Sequence, residues 1–155
     1  MESIEVSADH EHFAFSKSKA KFSPRGFNYD RDYKMRLLED YWDTEWETVV
    51  EDFREMKQLG ANVVRIHLQV AKFMEGPDKP NRRSLSRLKQ LLNLAETTGL
   101  YLDITGLGCY RKADVPAWFE HLNEQDRWTL QANFWRAISK SCSKSPRCFL
   151  LRPDQ

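Results

Sequence analysis

Apolar residues in this chain alternate between a helical rhythm and short continuous runs, and the order of those patterns is the first guide to its architecture. From Thr44 to His67 the sequence reads TEWETVVEDFREMKQLGANVVRIH. Trp46, Val49, Val50, Phe53, Met56 and Leu59 recur at helical spacing, which predicts an amphipathic helix over 44–59. Thr44 and Glu47 fit a capping box at its start, and Gly60 fits a left-handed stop at its end. Val63, Val64 and Ile66 then form a short apolar run, interrupted by Arg65 and closed by His67, which predicts a strand over 62–67. An apolar strand directly after a helix implies a parallel sheet with helices packed on it.

The same alternation continues on both sides. Residues 4–22 alternate weakly (Ile4, Val6, Phe13, Phe15) around a polar SKSK turn, which predicts a short antiparallel hairpin capping one end of a larger body. Phe27, Asn28 and Tyr29 fit a first core strand, followed by a loop rich in aromatic and charged residues. After a second loop with Gly76, Pro77 and Pro80, Leu85, Leu88, Leu91, Leu92 and Ala95 mark another amphipathic helix, closed by Gly99. A third strand is expected over 100–104, then a loop in which Pro116 opens a short helical turn. Asn123 and Asp126 are good caps for a long helix bearing Trp128, Phe134, Trp135 and Ile138 to about Ser143, and 148–151 begins a fourth strand.

Strand and helix repeated three times begin either a (β/α) barrel or a doubly wound sheet. The first strand-to-helix turn has no glycine-rich phosphate fingerprint and no P-loop occurs, which favours the barrel. A complete barrel takes ~250 residues. The expected fold is therefore α/β, the N-terminal part (about three to four βα units) of a (β/α)8 TIM barrel with a short N-terminal β-hairpin. Residues 1–22 form the cap, 23–146 the partial barrel and 147–155 a divergent tail.

Composition narrows the function. With 41% hydrophobic and 30% charged residues the chain reads as globular, and a net charge of +1 gives no global field to recruit nucleic acid or anionic membrane. The basic cluster Lys79, Arg82, Arg83, Arg87 and Lys89 reads as a solvated face, and no reading helix for a duplex is evident. No apolar stretch reaches the ~20 residues that span a bilayer, and the N-terminus lacks a secretory signal. Cys109, Cys142 and Cys148 show no metal spacing, so reduced thiols and a cytoplasmic location are expected.

Arg65 is the informative charge. An arginine in a buried strand needs an anionic partner, and ligands of such sheets collect at the carboxyl ends of the strands, where Arg65 and His67 fall. Three segments, PRGFNYDRDY at 24–33, GANVVRIHLQ at 60–69 and GLYLDITGLGCYRKADVPAWF at 99–119, resemble the cellulase-like branch of the family-five glycoside hydrolases. The resemblance covers roughly residues 20 to 146. It implies a (β/α)8 enzyme that cleaves β-linked glucans or mannans with retention of configuration, without a cofactor. It also implies a β-linked polysaccharide or oligosaccharide as partner. Arg65 matches the second-strand arginine that bonds the nucleophilic carboxylate and keeps it ionised. Tyr29, Trp42, Tyr110 and Trp118 match aromatics that stack on sugar faces, and His67 would bond sugar hydroxyls. Asp103, mid-strand, is expected to be a structural partner.

Retaining hydrolysis needs two carboxyl groups ~5–5.5 Å apart. In the family they are glutamates ending the fourth and seventh strands, the first within Asn-Glu-Pro. This sequence contains no Asn-Glu-Pro, and its one Asn-Glu pair, Asn123-Glu124, opens a helix. No catalytic residue can be assigned, and Arg65 is expected to have been placed for an acid outside this chain. The closing segment SPRCFLLRPDQ stands where a family member continues into a strand ending in Asn-Glu. A one-base shift within synonymous codons turns it into such a strand, so a frameshifted and truncated glycosidase, inactive as encoded, is expected. The alternatives are a carbohydrate-binding half-barrel and a product without function. An open sheet edge would favour self-association.

Overall fold

The computed structural model describes residues 2–108, 112–143, 145–146 and 148–149. Its N-terminal segment is a three-stranded antiparallel meander, one strand more than the expected hairpin: Ile4–Val6 (β1), Phe13–Phe15 (β2) and Lys21–Phe22 (β3). The rings of Phe15 and Phe22 meet edge to face, and Phe22 stands 5.3 Å from the ring of Tyr101. The Tyr101 hydroxyl donates to the Glu2 carbonyl at 2.6 Å. Tyr101 opens a strand of the main sheet, so the meander seats on the amino-terminal end of that sheet and leaves the carboxyl ends uncovered.

The main sheet has four parallel strands in the order β4-β5-β8-β9: Gly26–Asn28 (β4), Val63–Gln69 (β5), Tyr101–Gly108 (β8) and Cys148–Phe149 (β9). Helices Trp46–Gln58 (α2), Arg82–Thr98 (α4) and Glu124–Cys142 (α6) follow the first three strands in turn. Strand alternation separates two faces. Val64, Ile66 and Leu68 of β5 and Leu102 and Ile104 of β8 are buried with Val49, Phe53, Leu88, Leu91 and Phe134 of the helices. The alternate positions Val63, Arg65, His67, Asp103 and Thr105 are half-buried or exposed. The helix-bearing face is a packed apolar core, and the other face is open and polar. That is the arrangement of three βα units of a (β/α)8 barrel with a fourth strand begun.

Local details modify the expectations. Helix α2 starts two residues later than expected and has no capping box: its N-cap is Glu45, without a side-chain cap bond. Upstream, Leu38–Tyr41 forms a helical turn (α1), and Thr44 Oγ1 bonds the Tyr41 carbonyl at 3.3 Å instead of capping α2. The Glu45 carboxylate is drawn to Arg36, at 2.9 Å from its Nη2. The end of α2 is as expected. Ala61 and Gly60 donate to the carbonyls of Met56 and Lys57, and Gly60 has φ of 89°. Gly99 closes α4 with φ of 79°.

The loop after β5, read as irregular, contains Val70–Phe73 (α3) and the hairpin Met74–Gly76 (β6) with Lys79–Pro80 (β7), whereas the helical turn expected at Pro116 is present as Ala117–Glu120 (α5), after a 3-10 turn at Lys112–Asp114. Asn123 caps α6, accepting from the Asp126 N–H at 2.9 Å. Leu130, Phe134, Ile138 and Cys142 form its buried stripe, whereas Trp128 is 58% exposed and takes no part. The first strand is an edge rather than core: all three β4 residues are exposed, Phe27 to 42%. Of the basic cluster, Lys79 pairs with Glu75, and Arg83 and Arg87 pair with Asp43, with Arg87 also over the Trp46 ring. Only part of that cluster is therefore a solvated face. No helix among the described residues is long and apolar enough to cross a membrane.

Candidate active-site face

The parallel register brings the charged and polar residues of three strands into rows. Asn28 lies opposite Arg65 and Arg65 opposite Asp103; one step on, His67 lies opposite Thr105. These residues occupy the open face; because β5 runs on to Gln69 and β8 to Gly108, the row lies mid-strand and not at the carboxyl ends expected for Arg65 and His67.

Arg65, expected to pair with an acid outside the chain, finds an anionic partner within it in Asp103. Its Nε lies 3.8 Å from Asp103 Oδ2, with the arginine side chain 51% exposed. At that distance and exposure the pair is loose, so most of the guanidinium stays available to a further anion. Burial holds the Asp103 carboxyl above the ordinary aspartate range, against the pull of Arg65.

His67 is better fixed. Its Nδ1 is 2.8 Å from Thr105 Oγ1, and that hydroxyl donates its single proton to the Ile66 carbonyl at 2.9 Å. Thr105 therefore accepts from Nδ1–H, which makes Nε2 the acceptor of the neutral ring. Burial pulls His67 below the ordinary imidazole range; Asp30 opposes this and Arg65 adds to it. The ring is held by close approach as well. A Cβ at Gly108 would stand 2.7 Å from His67 Nε2 and 2.6 Å from Gln69 Nε2, a gap that only glycine leaves.

Beside this row lies a cleft of about 340 Å³ between the loops that follow β4, β5 and β8, lined by residues including Asp40, Gln69, Lys72 and Asp114. Lys72 pairs with Asp40 at 2.7 Å. Under it the Gln69 N–H donates to Glu39 Oε1 at 2.8 Å, while Glu39 Oε2 and both Gln69 amide atoms are buried without a hydrogen bond among the described residues. Burial pushes Glu39 up to about 7; Asp40 adds to this, and the Gln69 N–H and Lys72 oppose it. None of these cleft residues was singled out from sequence as a site residue, because they belong to three segments read as loops.

The expected sugar platforms are dispersed. Tyr29 packs on the helix side, its ring 5.8 Å from Phe53 and its hydroxyl bonded to the Asp52 carboxylate. Trp42 is 2% exposed, with its ring edge to face on Phe73 at 6.0 Å. Trp118 is half-buried against Phe119 at 6.2 Å in the loop after β8. Tyr110 lies outside the described residues. The structure thus brings Arg65, His67 and Asp103 onto one face, turns Trp42 into the core and packs Tyr29, half-buried, against it. Among the described residues no group of three His, Cys, Asp or Glu side chains is placed to hold a metal ion.

No family model and no curated protein matches this chain. Solved structures do. A GH5_18 protein from Streptomyces cattleya in complex with GlcNAc superposes with a TM-score of 0.68 at 19% identity, over 84% of this chain and 34% of that one. An exo-beta-1,4-mannosidase from Opitutaceae bacterium strain TAV5 gives 0.72 at 19% identity, over 94% of this chain and 27% of its own. The chain has the fold of part of a GH5 barrel. A GH5_18 protein from Bifidobacterium longum subsp. longum matches similarly, with a TM-score of 0.66 at 18% identity over 83% of this chain and 33% of that one. The chain spans about a third of the length of these GH5 structures, or less.

Proposed function

We propose that this chain carries the second- and third-strand side of a GH5-type sugar site, binding a β-linked gluco- or manno-oligosaccharide without hydrolysing it. The observation that carries the reading is the row of Arg65, His67, Asp103 and Thr105 on the open face of a helix-backed parallel sheet. An oriented imidazole acceptor, a half-exposed guanidinium and a nearby carboxyl suit hydroxyl-rich ligands, which offer donors and acceptors in equal measure. Asp103 is the one carboxyl on the described parallel strands, whereas retaining hydrolysis needs two at ~5–5.5 Å. With no Asn-Glu-Pro in the sequence, the acid/base motif of the resembled family has no counterpart in these residues. This chain thus keeps the sugar-recognition half of that chemistry.

The test combines an activity assay and a binding assay on the purified chain. Release of nitrophenol from aryl β-mannosides and β-glucosides should stay at the buffer rate. Manno- or cello-oligosaccharides should be retained in affinity electrophoresis, and His67→Ala should weaken that retention roughly two- to tenfold, the worth of one or two hydrogen bonds. Hydrolysis that disappears in Arg65→Ala would overturn the non-catalytic part, and retention unaffected by His67→Ala would overturn the binding site.

The open edge at β4 supports a further expectation. Its backbone edge, without a neighbouring strand among the described residues, and the exposed Phe27 favour strand pairing between copies. Light scattering should record concentration-dependent association, and Phe27→Lys should shift the chain towards monomer. A strictly monomeric wild-type chain would remove this expectation.

A further inference from the structure

Helices α4 and α6 are separated by a groove of about 630 Å³ that has nothing to do with the sugar-site row. Arg82 and Lys89 of α4 and Arg136 and Lys140 of α6 line it, all exposed. Asp78 is the one carboxylate in the lining. Arg136 bonds the neighbouring Asn133 side chain at 2.6 Å, and none of the four cations forms an ion pair among the described residues. The contrast with their neighbours in sequence is sharp. Lys79 pairs with Glu75 within the β6–β7 hairpin, and Arg83 and Arg87 pair with Asp43. In a chain of net charge +1, four cations against one acid is a local segregation of charge.

The floor has a different chemistry from the rims. Leu85 and Ala137 are half-buried between the cations, giving an apolar strip with a positive border on each side. Along α4 the charges are seven residues apart, about 10 Å, and along α6 four residues apart, about 6 Å. A single phosphate would need cations converging on one point rather than spread along two helices. A helix with carboxylates at i and i+4 repeats its charge every ~6 Å and carries an apolar stripe for the floor.

We propose that the α4–α6 groove docks an acidic amphipathic segment of another protein, carboxylates on the two cationic rims and apolar side chains on Leu85 and Ala137. Shape and sign together specify the partner: an anionic helix face with a narrow apolar seam. Rim charges of this kind govern encounter rate and salt dependence, and the floor governs residence.

The test uses the whole chain and a fluorescein-labelled helical peptide with glutamates at i, i+4 spacing around a leucine seam, followed by anisotropy. Saturable binding is expected, weakening with added salt. Lys89→Glu combined with Lys140→Glu should weaken it about tenfold or more, with an unchanged circular dichroism spectrum. Peptides with glutamine for glutamate, or serine for leucine, should lose most of the binding. Absence of saturable binding, or equal binding by the double variant, overturns the proposal. So does equal binding of the serine peptide, which would mean a cationic surface without a seam, or tighter, charge-sensitive binding of a short DNA duplex.

Discussion

Phe134→Ala is expected to lower the stability of this chain by about 3–5 kcal/mol, the usual cost of removing a fully buried aromatic ring. Phe134 sits in the middle of the buried stripe of α6, with no exposed surface. Its ring meets Phe73 of α3 edge to face at 6.2 Å and Trp135 at 5.1 Å, so it joins the last long helix to the loop structure after the second strand. A nearby bond, Asn133 Nδ2 to the Pro77 carbonyl at 3.1 Å, ties the same stretch of α6 to the β6–β7 hairpin. Small domains have only ~5–15 kcal/mol to lose, so this one change could leave α6 undocked. Urea denaturation should register the drop, and near-UV circular dichroism should lose intensity before the far-UV signal falls. Trp128→Ala is the control: its ring is exposed and its removal should cost under ~0.5 kcal/mol. Equal losses for the two variants would mean that α6 does not pack on the sheet as described.

The contrast between those two aromatics also marks what the sequence made legible. Both stand in one amphipathic pattern, but the buried stripe is Leu130, Phe134, Ile138 and Cys142, a strict four-residue repeat that excludes Trp128. The long elements were readable because their periods persist: Leu88, Leu91, Leu92 and Ala95 define one face of α4, and Gly60 and Gly99 fix where two helices stop. Helix α3 and the β6–β7 hairpin were not readable, since four residues or fewer establish no period. Their formation depends on Val70, Phe73 and Met74 being buried by α4 and α6.

The site residues divide along the same line. His67 could be placed with Arg65 because two residues along a strand share a face. The same rule places Tyr29 on the opposite face from Asn28, towards α2, where it bonds Asp52; that signal was present in the sequence and outweighed by the resemblance. The Arg65–Asp103 pairing depends on the register between strands 38 positions apart, which alternation alone does not supply. Trp42 is buried through Phe73, 31 positions away, and the cleft formed by Asp40, Lys72, Gln69 and Asp114 is likewise a product of tertiary closure.

Glu39→Gln is expected to stabilise the chain at neutral and higher pH and to change little in mild acid. The Glu39 carboxyl is buried in the first turn of α1, with Oε1 accepting from the Gln69 N–H and Oε2 without a hydrogen bond among the described residues. Burial raises it from an ordinary 4.5 to about 7 in the folded chain. Between those values the unfolded chain has released the proton and the folded chain still holds it. The folded state therefore binds more protons, and stability falls as pH rises through this window. The gap corresponds to roughly 3 kcal/mol, at ~1.4 kcal/mol for each pH step. Glutamine removes the titration, keeps an oxygen for the Gln69 N–H, and adds a donor suited to the buried Gln69 carbonyl oxygen. Other groups titrate in the background. Arg36 holds Asp32 and Glu45 below the ordinary carboxylate range, so those residues lose their contribution only in stronger acid. His67, held low, loses stability as pH falls, the opposite sign to Glu39. Comparing variant with wild type cancels these, so urea midpoints at about pH 5 and about pH 8 should diverge only at the higher value. A variant destabilised equally at both would mean that the carboxylate is satisfied in its ionised form, and that the buried end of the cleft is built around a charge.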